Sequence, residues 1–147
     1  MDSFVISKEN ALKLSDYLEK FRGSIDNHDG GAILTFTGIV REDSNPENAS
    51  QKTKAIVIEC IENMANEALN KIAREVEMRP GILKVTIIHA TGQFSLGEPM
   101  VHVIVLGKHR KASFQAIQDA IDMYKSQAPL WKKEIYTDGS GKWISHE

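Results

Sequence analysis

Four groups of basic side chains stand where the chain changes direction: Arg41, Lys108-His109-Arg110-Lys111, Lys125 and Lys132-Lys133. Arg41 ends an apolar run, Ile33 to Val40. The second group follows another run, Met100 to Leu106, and opens a helical pattern whose end carries Lys125. Strand ends and helix starts commonly meet along one rim, so these groups can converge. Convergent Arg, His and Lys suit an anion such as phosphate, because Arg forks onto two oxygens and a helix N-terminus adds amide donors. The plainer alternative is a solvated turn, with lysines that simply favour the C-terminal end of a helix dipole. At 100° per residue Lys125 falls about 20° from Phe114 on the helical wheel, which predicts that it borders the buried face.

Other chemistries find less support. His28, His89, His102, His109 and His146 are scattered, with no i,i+4 pair and no HExxH. They read as surface or satisfied core groups, so no metal site is expected. Cys60 is the single cysteine and ends an apolar strand, where a thiol is usually a small hydrophobe; an internal disulfide is excluded. Gly30-Gly31 precedes a strand instead of opening a helix, unlike a phosphate-binding glycine loop.

Those side chains need a scaffold, and 147 residues suffice for one ordinary domain spanning 1–147. Eighteen Lys+Arg against twenty Asp+Glu leave a net charge of −2, not the basic excess of a general nucleic-acid binder. No apolar run nears the roughly 20 residues that cross a bilayer. The start, MDSFVISKENALKL, lacks the basic and apolar regions of a signal peptide, so a cytoplasmic protein is expected.

Helical spacing predicts a first helix over Lys8 to Phe21, with Ser7 as cap and Gly23 as stop. Strands are expected over Ala32–Val40 and Ala55–Ile61, joined by a polar loop from Arg41 to Thr53 long enough to act as a lid. A second helix spans Asn63 to Met78 on one apolar stripe. Strands Leu83–Ala90 and Met100–Leu106 follow, separated by Thr91 to Pro99. A third helix covers Ala112 to Gln127, with Phe114, Ile117, Ile121 and Tyr124 inward. Lys133–Tyr136 and Lys142–Ser145 flank a turn, Asp138-Gly139-Ser140-Gly141. Trp131 and Trp143 are assigned to the core or an interface. This order gives an α+β domain with a mainly antiparallel or mixed sheet and about three helices.

The wording of four segments is more specific than their periodicity. Gly31-Ala-Ile-Leu-Thr-Phe-Thr-Gly-Ile-Val-Arg41, Thr91-Gly-Gln-Phe-Ser-Leu-Gly-Glu98, His109-Arg110 and Tyr124-Lys-Ser-Gln-Ala-Pro-Leu-Trp-Lys-Lys-Glu134 occur in this order. Together they resemble the large, catalytic subunit of molybdopterin synthase, the MoaE family, from about Gly30 to the C-terminus. The resemblance implies an α/β-hammerhead type of fold. It also implies a sulfurtransferase that converts cyclic pyranopterin monophosphate (precursor Z) into molybdopterin. Two sulfurs would arrive as a thiocarboxylate on the C-terminal Gly-Gly tail of a small ubiquitin-like MoaD-type subunit. Two large subunits would form a homodimer at the centre of a heterotetramer. No metal or bound cofactor is implied, and neither nucleic acid nor membrane is a partner.

Carried over residue by residue, the resemblance makes Arg41, with the backbone at Ile39 and Val40, part of the substrate-binding strand end. His109 and Arg110 would grip the substrate phosphate. Lys125 would lie beside the incoming tail, Lys132 would be the second catalytic lysine, and Lys133 and Glu134 would continue the substrate-contact segment. A lysine among other cations has reason to shift its pKa downward and to carry protons during sulfur addition. Ile61, where relatives often carry an aromatic residue, and Lys111, where a small residue is common, depart from the pattern, as does the length of the 42–53 segment. A non-catalytic pterin-phosphate-binding paralogue could dispense with Lys125 or Lys132, and a module binding only the ubiquitin-like tail needs no cationic grip. The presence of both features favours catalysis.

Overall fold

The computed structural model describes residues 1–144; Ser145 and His146, named above, lie outside the described residues. Its elements run β1 (Phe4–Ser7), a 3-10 turn (Lys8–Asn10), α1 (Leu14–Gly23), β2 (Ala32–Ile39), β3 (Ser44–Asn45), β4 (Asn48–Cys60) and α2 (Glu62–Glu77). β5 (Ile82–Ser95), β6 (Pro99–Gly107), α3 (Arg110–Gln127), β7 (Leu130–Tyr136) and β8 (Gly141–Ile144) complete it. Eight strands form one sheet in the order β2-β6-β5-β4-β7-β8, with β1 beside β5 and β3 beside β4. Every pairing is antiparallel except β1 with β5, so the sheet is mixed and the α+β expectation holds with three helices.

β6 explains why the centre is apolar on both faces. Val101, Val103 and Val105 pack with α2 and α3 on one side, while Ile104 and Leu106 pack with Tyr17 and Phe21 of α1 on the other. A two-residue repeat with both faces covered appears in sequence as an unbroken apolar run. α2 contributes Ala65, Leu69, Ile72, Ala73 and Val76, the predicted stripe.

Several expectations need correction. The first helix starts at Leu14, and Ser7 makes no side-chain cap; the residues before it form β1 and the 3-10 turn. β1 has four residues and gains partners that periodicity does not reveal. The Asn66 side-chain oxygen accepts from the Val5 amide at 2.7 Å, and that of Asn70 accepts from the Ser3 amide at 2.9 Å. The polar segment 41–53 is not a loop but mostly a β3–β4 hairpin: Ser44 pairs with Lys52, and the Thr53 amide donates to the Asp43 carbonyl at 2.8 Å. Its polar composition reflects an exposed ribbon, stabilised by backbone ladders and by Gln51, which reaches Asp138 across the sheet. Likewise Thr91–Ser95 belongs to β5, leaving only a short turn before Pro99. Phe114, expected inward, is 62% exposed; Trp131 and Trp143, at 48% and 50% exposed, lie outside the core, which leaves the interface of their two assignments.

Gly31 shows how tightly the site's scaffold is joined. Its amide donates to the Gly107 carbonyl at 2.9 Å. A Cβ there would run into the Lys108 backbone carbonyl, which cannot swing aside as a side chain can. Gly31→Ala should therefore cost roughly 2–3 kcal/mol as overpacking, read as a lowered urea midpoint at unchanged m. An unchanged midpoint would show that the β2 start is freer than described.

Candidate active site

A cavity of about 610 Å³, within the range of small-molecule sites, opens where β2, β4, β5, β7 and the end of α3 meet. Each wall has a local cause. β2 delivers Ile39, Val40 and Arg41 to the rim, and its end is pinned by the β5–β6 turn. The Gly97 amide donates to the Val40 carbonyl at 2.8 Å, and the Val40 amide donates to the Glu98 carbonyl at 3.0 Å. Gly97 has φ +81°, a left-handed conformation that glycine adopts without strain. The Lys8 ammonium holds the Glu98 carboxylate at 2.6 Å, and that hydrogen bond keeps the acid's pKa below its ordinary value.

α3 ends at Gln127 because Ala128, before Pro129, takes an extended conformation (φ −76°, ψ 135°). The turn leads straight into β7, and this brings Lys125 and Lys132 to one cavity. In β7, Lys132 pairs with Ile58 and Glu134 with Ile56, so both side chains share the cavity face. Lys133 alternates to the opposite face, where its ammonium lies 5.6 Å from the Trp143 ring centroid.

The electrostatics of this pocket centre on Lys132. It is half-buried, and its pKa is lowered, first by desolvation and then by the Lys125 charge, with Arg41 adding a little; Glu134 and Asp43 oppose the shift. The Arg41 Nε bonds to Asp43 at 3.0–3.1 Å, while the side chain remains 82% exposed, so its terminal amino groups are available to an anion. The Glu134 carboxylate accepts from the Thr53 and Tyr136 hydroxyls, which fixes its orientation.

Of the residues predicted from sequence, Ile39, Val40, Arg41, Lys125, Lys132 and Glu134 line the cavity. His109, Arg110 and Lys133 do not. His109 is the N-cap of α3, exposed, and its carbonyl accepts from Ser113. Fifteen residues of helix separate Arg110 from Lys125, about 22 Å at 1.5 Å per residue. Lys125 does not border the buried face as its wheel position beside Phe114 predicts, because Phe114 itself faces solvent; Lys125 is exposed and reaches the cavity from its rim.

His89 and Tyr124 are wall residues of this cavity that sequence reasoning did not assign to it. His89 is 6% exposed, its ring 5.7 Å from that of Tyr124 in an edge-to-face contact, and its Nδ1 donates to the Ala90 carbonyl at 2.8 Å. The only hint in the sequence is one histidine inside the apolar run Ile87-Ile88-His89-Ala90. Burial pushes its pKa down to about 4, with the Lys132 charge adding to the effect and the Ala90 bond opposing it; burial pushes Tyr124 up to about 12. From pH 6.5 to 4 the unfolded chain therefore binds a proton that the folded chain refuses. Stability should fall as pH drops through that window, by roughly 3 kcal/mol from this residue, and be flatter in His89→Gln. Urea unfolding of both proteins at pH 7 and pH 4.5 checks this, and equal slopes would refute it.

Comparison with known proteins supplies the lineage of this arrangement. The family profile described as MoaE protein matches residues 7–127. The molybdopterin synthase catalytic subunit of Bacillus subtilis (strain 168) is 33% identical over 147 residues, covering 100% of this chain and 87% of that protein. The corresponding subunit of Escherichia coli (strain K12) is 32% identical over 126 residues, 86% of this chain and 81% of its own. The crystal structure of molybdopterin synthase from Staphylococcus aureus superposes with a TM-score of 0.82 at 30% identity, covering 99% of each chain. By sequence and by fold, the chain belongs to the MoaE family.

Proposed function

We propose that this chain acts as the catalytic subunit of a molybdopterin synthase, a single MoaE-like domain that converts cyclic pyranopterin monophosphate into molybdopterin. The observation that carries this reading is the gathering of Arg41, Lys125 and a half-buried Lys132 of lowered pKa in one cavity. Arg41 offers free guanidinium donors to an anionic substrate. The thiocarboxylate tail of a small ubiquitin-like partner enters beside Lys125. Each transfer exchanges an oxygen on the substrate for a sulfur and leaves the tail as a carboxylate. Protons must reach the departing oxygen and leave the incoming group, work suited to an amine that titrates nearer neutrality than ordinary lysine. The neighbouring cations stabilise the oxyanions that form. A cytoplasmic setting belongs to this reading and suits a chain whose single cysteine, Cys60, is a free thiol.

His109 and Arg110 enter the reading through the homodimer. They cannot close on Lys125 of their own chain across the length of α3, whereas a two-fold axis can set the start of one α3 against the end of its partner's. Each cavity then receives its phosphate grip from the other subunit. Lys133 supports the β7–β8 hairpin against Trp143.

The decisive experiment mixes the chain with a thiocarboxylated small subunit and cyclic pyranopterin monophosphate and assays the dithiolene product. Product formation establishes the activity. Tight substrate binding with no product from a competent partner would instead establish the non-catalytic paralogue.

A further inference from the structure

The polar groups around this cavity are unevenly matched. Arg41, Lys125 and Lys132 can only donate hydrogen bonds while charged. The side chains that could accept are anionic or already hold a partner: Asp43 binds Arg41, Glu134 accepts from Thr53 and Tyr136, and the Thr37 hydroxyl lies 2.8 Å from the Nδ1 atom of His102, while the Tyr124 hydroxyl both donates and accepts. A reduced pterin, by contrast, carries ring N–H groups and an exocyclic amine, all donors that lose their water on entering.

His89 supplies an uncharged group that only accepts. A carbonyl can only accept, so the 2.8 Å contact to Ala90 places the proton on Nδ1 and leaves Nε2 with a lone pair. Among the described residues no enclosed side-chain nitrogen or oxygen lacks a hydrogen-bond partner, and none of those residues is a partner for Nε2. Its lone pair therefore opens on the cavity that the ring lines. Tyr124, edge-on at 5.7 Å, holds the ring in place, and the β5 backbone on either side is fixed by pairing His89 with Val101 of β6 and Val5 of β1.

We propose that His89 is a substrate-binding residue whose Nε2 accepts a ring N–H or amino hydrogen of the bound pterin. The ring stays uncharged at neutral pH because burial outweighs its one hydrogen bond, so it remains an acceptor beside three cations. The cavity then matches its ligand by polarity: cations serve the anionic groups, and a neutral acceptor serves the heterocycle. The proposal rests on the pterin reading above.

The test is calorimetric binding of cyclic pyranopterin monophosphate, with inorganic phosphate as a competing probe, to the intact chain and to His89→Leu and His89→Gln. Gln keeps an acceptor at similar reach, whereas Leu fills the space without one. The expected result is a pyranopterin Kd weakened about tenfold in His89→Leu, recovery to within about threefold in His89→Gln, and phosphate binding equal in all three. The Nε2 nitrogen resonance of the wild type should also move upfield on pyranopterin addition and stay put with phosphate. An unchanged Kd in His89→Leu overturns the proposal, as does parallel weakening for both probes, the mark of a merely structural role. Where product still forms in the reconstituted system, the synthase reading survives that result. A wild-type chain that binds no pyranopterin removes both.

Discussion

Lys132→Ala should lower dithiolene formation by about 10³-fold in the reconstituted system, with substrate binding reduced far less. The expectation follows from where the amine sits. Desolvation is the largest influence on its pKa, and Lys125 adds to it, so the free amine is available at a lower pH than for an exposed lysine. The signs for its neighbours follow from the same geometry. Removing the Lys125 charge should raise the Lys132 pKa, while Glu134→Gln, which removes a stabilising anion, should lower it further. Lysine side-chain NMR of isotope-labelled protein reads these titrations without any activity. If Lys132 works as a base, the acid limb of the pH–rate profile moves with them, rate being lost as pH falls through the shifted pKa. A decrease of less than tenfold in Lys132→Ala would remove the lysine from the proton-transfer step.

The second large effect concerns the homodimer. Arg110→Ala and Lys132→Ala should each be nearly inactive alone, yet a mixture of the two, unfolded and refolded together, should recover activity. With random pairing half the dimers are mixed, and each mixed dimer has one cavity free of substitution, so recovery should approach about a quarter of the wild-type rate per site. The physical reason is the roughly 22 Å of helix between the two groups within one chain. Full-length mixing followed by size exclusion and the product assay gives the answer. Recovery near zero, with dimers demonstrably mixed, would place Arg110 outside the partner's cavity and leave its charge a property of the α3 surface.

Much of this protein is legible in its sequence because the relevant physics is local. The apolar runs of β5 and β6 and the stripe of α2 announce elements whose faces are buried, and the dipeptide Ala128-Pro129 announces the break that carries α3 into β7. The ordered motifs from Gly31 to Glu134 are enough to name the family. The sequence is less informative where partners are remote. β1 is held by the side chains of Asn66 and Asn70 more than sixty residues away, and the polar 44–53 ribbon is held by ladders that composition does not show.

By itself, then, the sequence determined the α+β class, the positions of most elements and the identity of the cationic groups, since periodicity, turn chemistry and residue type are all short-range. Only the tertiary structure decided which of those groups share a cavity. The two-residue alternation of β7 turns Lys132 and Glu134 inward and Lys133 outward, and the length of α3 sends His109 and Arg110 to the far end. It also decided the state of His89. An imidazole in an apolar strand becomes a neutral acceptor on a cavity only when burial, the Ala90 carbonyl and the Tyr124 ring are set around it, an environment assembled from both α3 and β5.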